Sequence, residues 1–456
     1  MNVSFFQELL TTIADRGRSL IDLSIGPLSG SGDDTIEDLS RALITSLGEA
    51  SGVALAAKVL ESYKQLDERG KRNFFHVLAT EFIPRQEDVA AAAGIYLDDP
   101  TPQHMEALSE AVASPRQEFF RRLNLAPGAT AEIVCLRTDL QQLIKDDPEL
   151  RLVDKDLVHL LASWFNRGFL VLQRIDWSTP ASILEKIIAY EAVHEIQGWE
   201  DLRRRLDPAD RRCYAFFHPS LVDEPLIFVE VALTHDIPNS IQTLLEQERK
   251  TDIDGKPPTT AVFYSISNCQ EGLAGISFGN FLIKQLVGDL SKEIPTLKSF
   301  VTLSPIPGFS RWLSGLQADE GSELLSHDDR DFIKTLKKGD WLEDSDLNTV
   351  AKGFLLPLVA HYFLFAQDLN GRPWDPVARF HLGNGARLER INWLGDISAK
   401  GLGESYSLMV NYLYDINDIE RNHEAYINER TVIAAKAVHS LLGALSKPKA
   451  LATINE

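Results

Sequence analysis

Residues 261–309 read AVFYSISNCQEGLAGISFGNFLIKQLVGDLSKEIPTLKSFVTLSPIPGF. The run from Ala261 to Ser267 is apolar, rich in aromatic and β-branched residues and too short for a helix, so it reads as a strand. Gln270 to Gly275 form a glycine-containing loop. Beyond it Phe278, Leu282, Leu286 and Leu290 recur at helical spacing, with Lys284 and Lys292 off that face. SFVTL, from Ser299 to Leu303, reads as a second strand that ends on Ser304. Strand, loop, helix and strand in this order bring free backbone N–H groups and the positive end of a helix dipole to one place, which suits a diphosphate. Glycine lets the backbone approach oxygens that a Cβ would block, although Gly272 and Gly275 are equally well explained as turn residues. The loop is neither GxGxxG nor GK[ST], which argues against a dinucleotide or ATP.

Ser304 precedes Pro305, which confines the serine backbone to extended conformations, and Pro307-Gly308 then turns the chain away. No GxSxG elbow occurs, which weighs against a serine hydrolase.

Outward from this unit the chain changes character twice. From the N-terminus to about Gly168 the periodicity is helical: Ile36, Leu39, Leu43 and Leu47 share a face, and further segments run 53–66, 71–82, 85–96, 102–112, 115–122, 133–143 and 153–165. Short helices with brief connections predict an antiparallel bundle that serves packing or assembly. From about Arg174, helices at 180–190 and 199–206 give way to the strands CYAFFHP and PLIFVEVALT. Arg203, Arg204 and Arg205 read as a solvated helix face. After Ser304, helices are expected at 328–342 and 347–366, a loop region at 375–398, a strand at 408–414 and a closing helix at 430–446. The fold class is α+β: an all-helical N-terminal bundle followed by a mixed α/β domain.

The 456 residues carry a formal net charge of −20, which argues against nucleic acid or an anionic membrane as partner. Cys135, Cys213 and Cys269 are odd in number and far apart, which excludes a disulfide framework and fits a reducing compartment. No HExxH or CxxC pattern marks a metal site. No apolar run approaches the roughly 18 to 20 residues of a membrane span. Neither end carries a targeting signal, so a cytoplasmic protein is expected.

Among eleven histidines, His381 stands out in DPVARFHLGNGARLERINW, before a Gly-Asn-Gly turn that suits a pocket edge. His218, in AFFHPS, competes with it, and the residues alone leave the two open. Asn384 and Asn392 are candidate supporting donors.

Five blocks carry a family resemblance: RRCYAFFHPSLVDEPLIFVEVALT, VFYSISNCQEGLAGISFGNFLIKQLV, TLSPIPGF, DPVARFHLGNGARLERINW and SLMVNYLYD. Together they resemble malonyl-CoA decarboxylase, in the bacterial form that lacks organelle-targeting ends. The resemblance implies a helical domain over 1–173 used in oligomer assembly and a GNAT-like acyl-CoA-binding catalytic domain over 174–456. It implies a carboxy-lyase that converts malonyl-CoA to acetyl-CoA and carbon dioxide without metal, with no cofactor beyond the coenzyme A of the substrate. Ser304 and His381 match the family's catalytic pair. Gln270, Gly272, Leu273, Ala274, Gly275 and Ser277 fall in the coenzyme A loop. A dimer or tetramer of identical chains is expected, with no nucleic acid or membrane partner. Two other readings remain: an N-acyltransferase of the GNAT type, and a non-enzymatic coenzyme A-binding protein.

Overall fold

The computed structural model describes residues 35–46, 48–246, 256–276, 282–337, 339–368 and 371–444. They divide into two compact units. One takes the chain up to Val171 together with Phe217–Leu226 and the described residues from Gln270 to 276; the other takes the rest. Two excursions from the later part of the chain therefore belong with the helices, which no boundary near residue 173 anticipates.

The first unit is helical. Thr35 caps Ile36–Thr45, Asp67 caps Glu68–Thr80 and Thr101 caps Pro102–Ala111, each side chain accepting a backbone N–H of the first turn. Its core is aromatic, with Phe74, Phe75, Phe119 and Phe120 fully buried; Phe74 meets Phe75 and Phe119 meets Phe120 edge to face, and Phe74 is tilted against Phe119.

The second unit is built on one eight-stranded sheet. Its strands are β1 (Val171–Ile175), β2 (Arg211–Phe217), β3 (Pro225–Thr234), β4 (Thr260–Asn268), β5 (Ser299–Thr302), β6 (Ser304–Pro305), β7 (Arg387–Asn392) and β8 (Met409–Leu413). The order is β1-β2-β3-β4-β5-β8-β6, with β7 also against β8. β3 and β4 are antiparallel and slip by one residue between Glu230 and Val231, where Tyr264 is the extra residue of a bulge. β4 and β5 are parallel, paired from Thr260–Ser299 to Phe263–Thr302, and are linked by the helix Leu282–Glu293 with Leu282, Leu286 and Leu290 buried. After Thr302 the chain leaves β4. Ser304 and Pro305 pair instead with Val410 and Met409 of β8. Under one face lie Ala232, Val262, Tyr264, Val301, Leu303 and Met409.

Several expectations change. Residues 375–398 are not a loop region: Pro376–Gly383 is a helix and β7 follows it. The glycines there suggested a loop, but they are the hinge between two elements. Phe309–Ala318 and Ile419–Glu429 are helices beyond the expected ones, and among the described residues of the expected closing helix, whose last two positions lie outside them, only Lys436–Leu441 is α-helical. Arg205 does not share a solvated face with Arg203 and Arg204. Its guanidinium is buried 3.0 Å from the carboxylate of Glu230. Ser345–Phe365, with 21 residues, is the one helix among the described residues long and apolar enough to cross a membrane, yet half of its apolar window is buried inside the fold.

Candidate active site

The break between β5 and β6 sets Ser304. Thr302 is the last residue of β5, and the alternation of a strand puts residues 302 and 304 on the same side. Ser304 is buried, and its hydroxyl donates to Thr302 Oγ1 at 2.8 Å. Tyr412 on β8 and Tyr414, one residue past its end, alternate onto that side as well.

His381 arrives from a different element. Asp375 caps the helix Pro376–Gly383 by accepting from Ala378 N at 2.9 Å, and Pro376 stands at the first helical position, where no N–H is needed. The helix ends at Asn384, and Gly385 turns the chain at φ +81°; a Cβ there would lie 2.1 Å from the Ile419 carbonyl oxygen. His423 Nδ1 and Asn422 Nδ2, on Ile419–Glu429, reach the Gly383 and Gly385 carbonyls at 2.7 and 3.2 Å. That anchoring places the imidazole of His381 against Tyr412, rings 4.5 Å apart and near parallel.

The two halves meet. His381 Nε2 lies 3.2 Å from Ser304 Oγ, and His381 Nδ1 lies 2.8 Å from the Tyr414 hydroxyl. Ser304 has one hydrogen and directs it to Thr302, so the hydrogen between Nε2 and Ser304 belongs to the imidazole. Nδ1 is then the acceptor of the Tyr414 O–H, whose burial keeps that phenol protonated. The hydrogens run one way, from Tyr414 through His381 and Ser304 to Thr302. Burial also pulls the imidazole pKa down to about 3, and neither ring nitrogen faces a carboxylate that would hold a second proton. His381 is a neutral donor, unlike the histidine of a Ser-His-Asp triad.

Asp375 joins the halves again. Its Oδ2 accepts from Gly308 N at 3.3 Å, four residues past Ser304, and from the Tyr362 hydroxyl at 3.2 Å. Gly308 has to be glycine, because a Cβ would lie 2.3 Å from that hydroxyl oxygen.

The competing histidine has another setting. His218 belongs to the first unit, its ring 4.8 Å from Phe165 and its Nδ1 accepting from Ser220 N. Asn384 is the C-cap of the His381 helix, and Asn392 donates to Asn411 at 2.9 Å, so both have structural roles. The loop residues Gln270, Gly272, Leu273, Ala274 and Gly275 lie in the first unit, and Ser277 is outside the described residues. Glu271–Leu273 form one 3₁₀ turn, with Arg137 donating to the carbonyls of Gly272 and Ala274 at 2.7 and 2.9 Å. Gly272 is explained by packing: a Cβ would lie 1.9 Å from the Val134 carbonyl oxygen. Gly275 has φ +78° and open space around it. Among the described residues no three His, Cys, Asp or Glu side chains are grouped as a metal ion requires.

Thr302, Tyr414 and Asp375 are absent from the sequence-level candidates. Two signals were available: the i, i+2 tyrosines of NYLY, and the Asp-Pro pair that opens a helix.

Residues 168–452 match the malonyl-CoA decarboxylase C-terminal domain and residues 82–165 the N-terminal domain of the same family. The solved malonyl-CoA decarboxylases from Rhodopseudomonas palustris and Agrobacterium vitis are each 52% identical with a TM-score of 0.84; this match covers 90% of this chain and 100% and 99% of theirs. The mitochondrial malonyl-CoA decarboxylase of Anser anser anser is 38% identical over 72% of this chain and 70% of its own length. The chain belongs to the malonyl-CoA decarboxylase family.

Proposed function

We propose that the protein decarboxylates malonyl-CoA to acetyl-CoA, with Ser304 and His381 at the reacting group. The observation that carries this reading is the buried contact of 3.2 Å between the two side chains in a chain of this family. Cleavage of the bond to the carboxylate releases carbon dioxide and leaves its electron pair on the α-carbon, delocalised into the thioester as an enolate. One proton, taken from water that then becomes hydroxide and is neutralised by the solvent, adds to that carbon. The barrier lies in the charge that grows on the thioester oxygen, and a neutral Nε2–H directed at that oxygen stabilises it without losing its own proton. Ser304 turns its hydrogen from Thr302 to the malonyl carboxylate and holds it for cleavage. Burial of the pair favours departure of an uncharged product. No metal enters this scheme, and coenzyme A enters as part of the substrate.

The loop Gln270–Gly275 is assigned to the diphosphate of coenzyme A, supported by the open backbone at Gly275. A homo-oligomer and a cytoplasmic setting complete the reading; the chain's strong negative charge favours neither nucleic acid nor an anionic membrane as partner.

The test is to incubate the purified protein with malonyl-CoA and follow acetyl-CoA and carbon dioxide. Turnover without an amine acceptor is expected, and loss of about 10²- to 10³-fold in kcat on Ser304→Ala or His381→Ala. Binding without turnover would instead make it a coenzyme A-binding protein. Acyl transfer to an amine, with malonyl-CoA left intact, would make it an acyltransferase.

A further inference from the structure

One rung of the sheet beside Ser304 is not made by backbone. β8 pairs with β5 at Val301–Leu413 and with β6 at Ser304–Val410, the same register on both sides of Thr302 and Leu303. Between those pairs Tyr412 N donates to the side-chain Oγ1 of Thr302 at 3.1 Å, and the side-chain Nδ2 of Asn411 donates to the Thr302 carbonyl at 2.7 Å. Thr302 and Asn411 are both fully buried, so neither bond is exchanged with water. Asn411 is held in turn. Its Oδ1 accepts from Asn392 Nδ2 at 2.9 Å and from Arg390 Nε at 3.1 Å.

The substituted rung has a consequence for the reacting serine. Thr302 Oγ1 is fixed by the Tyr412 amide and is also the acceptor of the Ser304 hydroxyl at 2.8 Å. That bond selects the Ser304 rotamer in which a lone pair meets His381 Nε2 at 3.2 Å. A regular ladder would leave residue 302 with no need of a hydroxyl.

Resting on the assignment of Ser304 above, we infer that Thr302, held by Tyr412 N and Asn411, is a positioning residue of the decarboxylation site. At rest Thr302 accepts the Ser304 hydrogen, and when that hydrogen turns to the incoming carboxylate the Thr302 hydroxyl donates its own hydrogen to Ser304 Oγ, so the serine keeps its rotamer beside His381. Thr302 acts through Ser304 and touches no substrate atom.

The experiment compares Thr302→Val, which keeps the shape and removes the acceptor, with Thr302→Ser, which keeps the acceptor. Thr302→Cys is the second loss variant, used where valine impairs folding, because a thiol is a poor acceptor of the size that serine shows to fit. Malonyl-CoA turnover and acetyl-CoA binding are measured for each, alone and combined with Ser304→Ala. The valine or cysteine variant is expected to lose about 10²-fold in kcat at unchanged KM, the scale of a misplaced reacting group. The serine variant is expected to restore kcat. In the Ser304→Ala background the valine change is expected to cost nothing more, because its effect passes through the missing hydroxyl. Full turnover in Thr302→Val, loss in Thr302→Ser equal to that in Thr302→Val, or a further loss on top of Ser304→Ala each overturns the inference. Near-normal turnover of Ser304→Ala alone would instead overturn the assignment of the serine, so the two failures are distinguishable.

Discussion

Asp375 accepts the backbone N–H of Gly308 at 3.3 Å, a bond between the segment that follows Ser304 and the cap of the helix that carries His381. The same carboxylate accepts from Ala378 N and from the Tyr362 hydroxyl, and burial raises its pKa. Replacing Asp375 with alanine removes a helix cap, at about 1 kcal/mol. It also strands a buried amide, at about 1 to 3 kcal/mol. Thermal unfolding should show that loss, and kcat should fall with it because Ser304 and His381 drift apart. Asp375→Asn retains an acceptor and should recover most of both. Equal turnover in the alanine variant and the wild type would mean that the halves are aligned by something else.

His381 titrates near 3, not near the 6.5 of a free imidazole, because it is buried. Its neutral form is therefore present throughout the working range. Turnover at saturating malonyl-CoA should show no inflection between pH 6 and 7 of the kind an imidazolium acid produces. An acid or base limb there that disappears in His381→Gln would refute the neutral donor.

Stability should follow pH in two opposite limbs. His381, at about 3, and His194, at about 4, both lie below 6.5 through burial, so between these values the unfolded chain binds more protons. Their contribution is complete above 6.5 and is lost as pH falls toward 3. Burial raises Glu230 from 4.5 to about 8 against the pull of Arg205, so the folded chain binds more protons across that interval and stability falls as pH rises through it. The limbs overlap, and because two histidines oppose one glutamate below 6.5, chemical denaturation at a series of pH values should find a maximum near 6.5, and Glu230→Gln should flatten the fall above it.

The same buried pair predicts an asymmetry between variants. Burial holds the Glu230 carboxyl protonated near neutral pH, so Arg205→Met removes its hydrogen-bond partner at 3.0 Å and should destabilise by about 1 to 3 kcal/mol. Adding Glu230→Leu should recover most of that loss, since the pair as a whole adds little over apolar packing. Denaturant midpoints of the single and double variants decide this.

Two glycines of one loop should respond differently. Gly272→Ala forces a Cβ to 1.9 Å from the Val134 carbonyl and should lower the melting temperature through a clash of about 1 to 3 kcal/mol. Gly275→Asn meets open space, and asparagine tolerates φ +78°, so it should leave stability nearly unchanged while raising the KM for malonyl-CoA. An unchanged KM would remove the loop from the diphosphate site.

Much of this was legible in residues 261–309. Strand, loop, helix and strand were readable because each is a local period or a local breaker, and the helical N-terminal unit was readable for the same reason. Ser304 stood out because proline follows it, and His381 because a glycine turn does. The region 375–398 misled because its Asp-Pro start and Gly-Asn-Gly turn are loop-like in composition. They prove to be the two caps of one short helix.

The sequence by itself determined the helical first unit and the strand, loop, helix and strand of residues 261–309, though not the helices Phe309–Ala318, Pro376–Gly383 and Ile419–Glu429, and it singled out a serine and a histidine. It also determined the family through blocks of residues that extend far beyond either one. Tertiary structure alone decided that these side chains lie 3.2 Å apart across 77 positions, that Tyr414 and Thr302 complete the hydrogen-bond line, and that the histidine is neutral. The physical reason is range. Periodicity and capping act within a few residues, whereas the sharing of one hydrogen and the desolvation of one ring depend on strands and helices that meet only when the chain is folded.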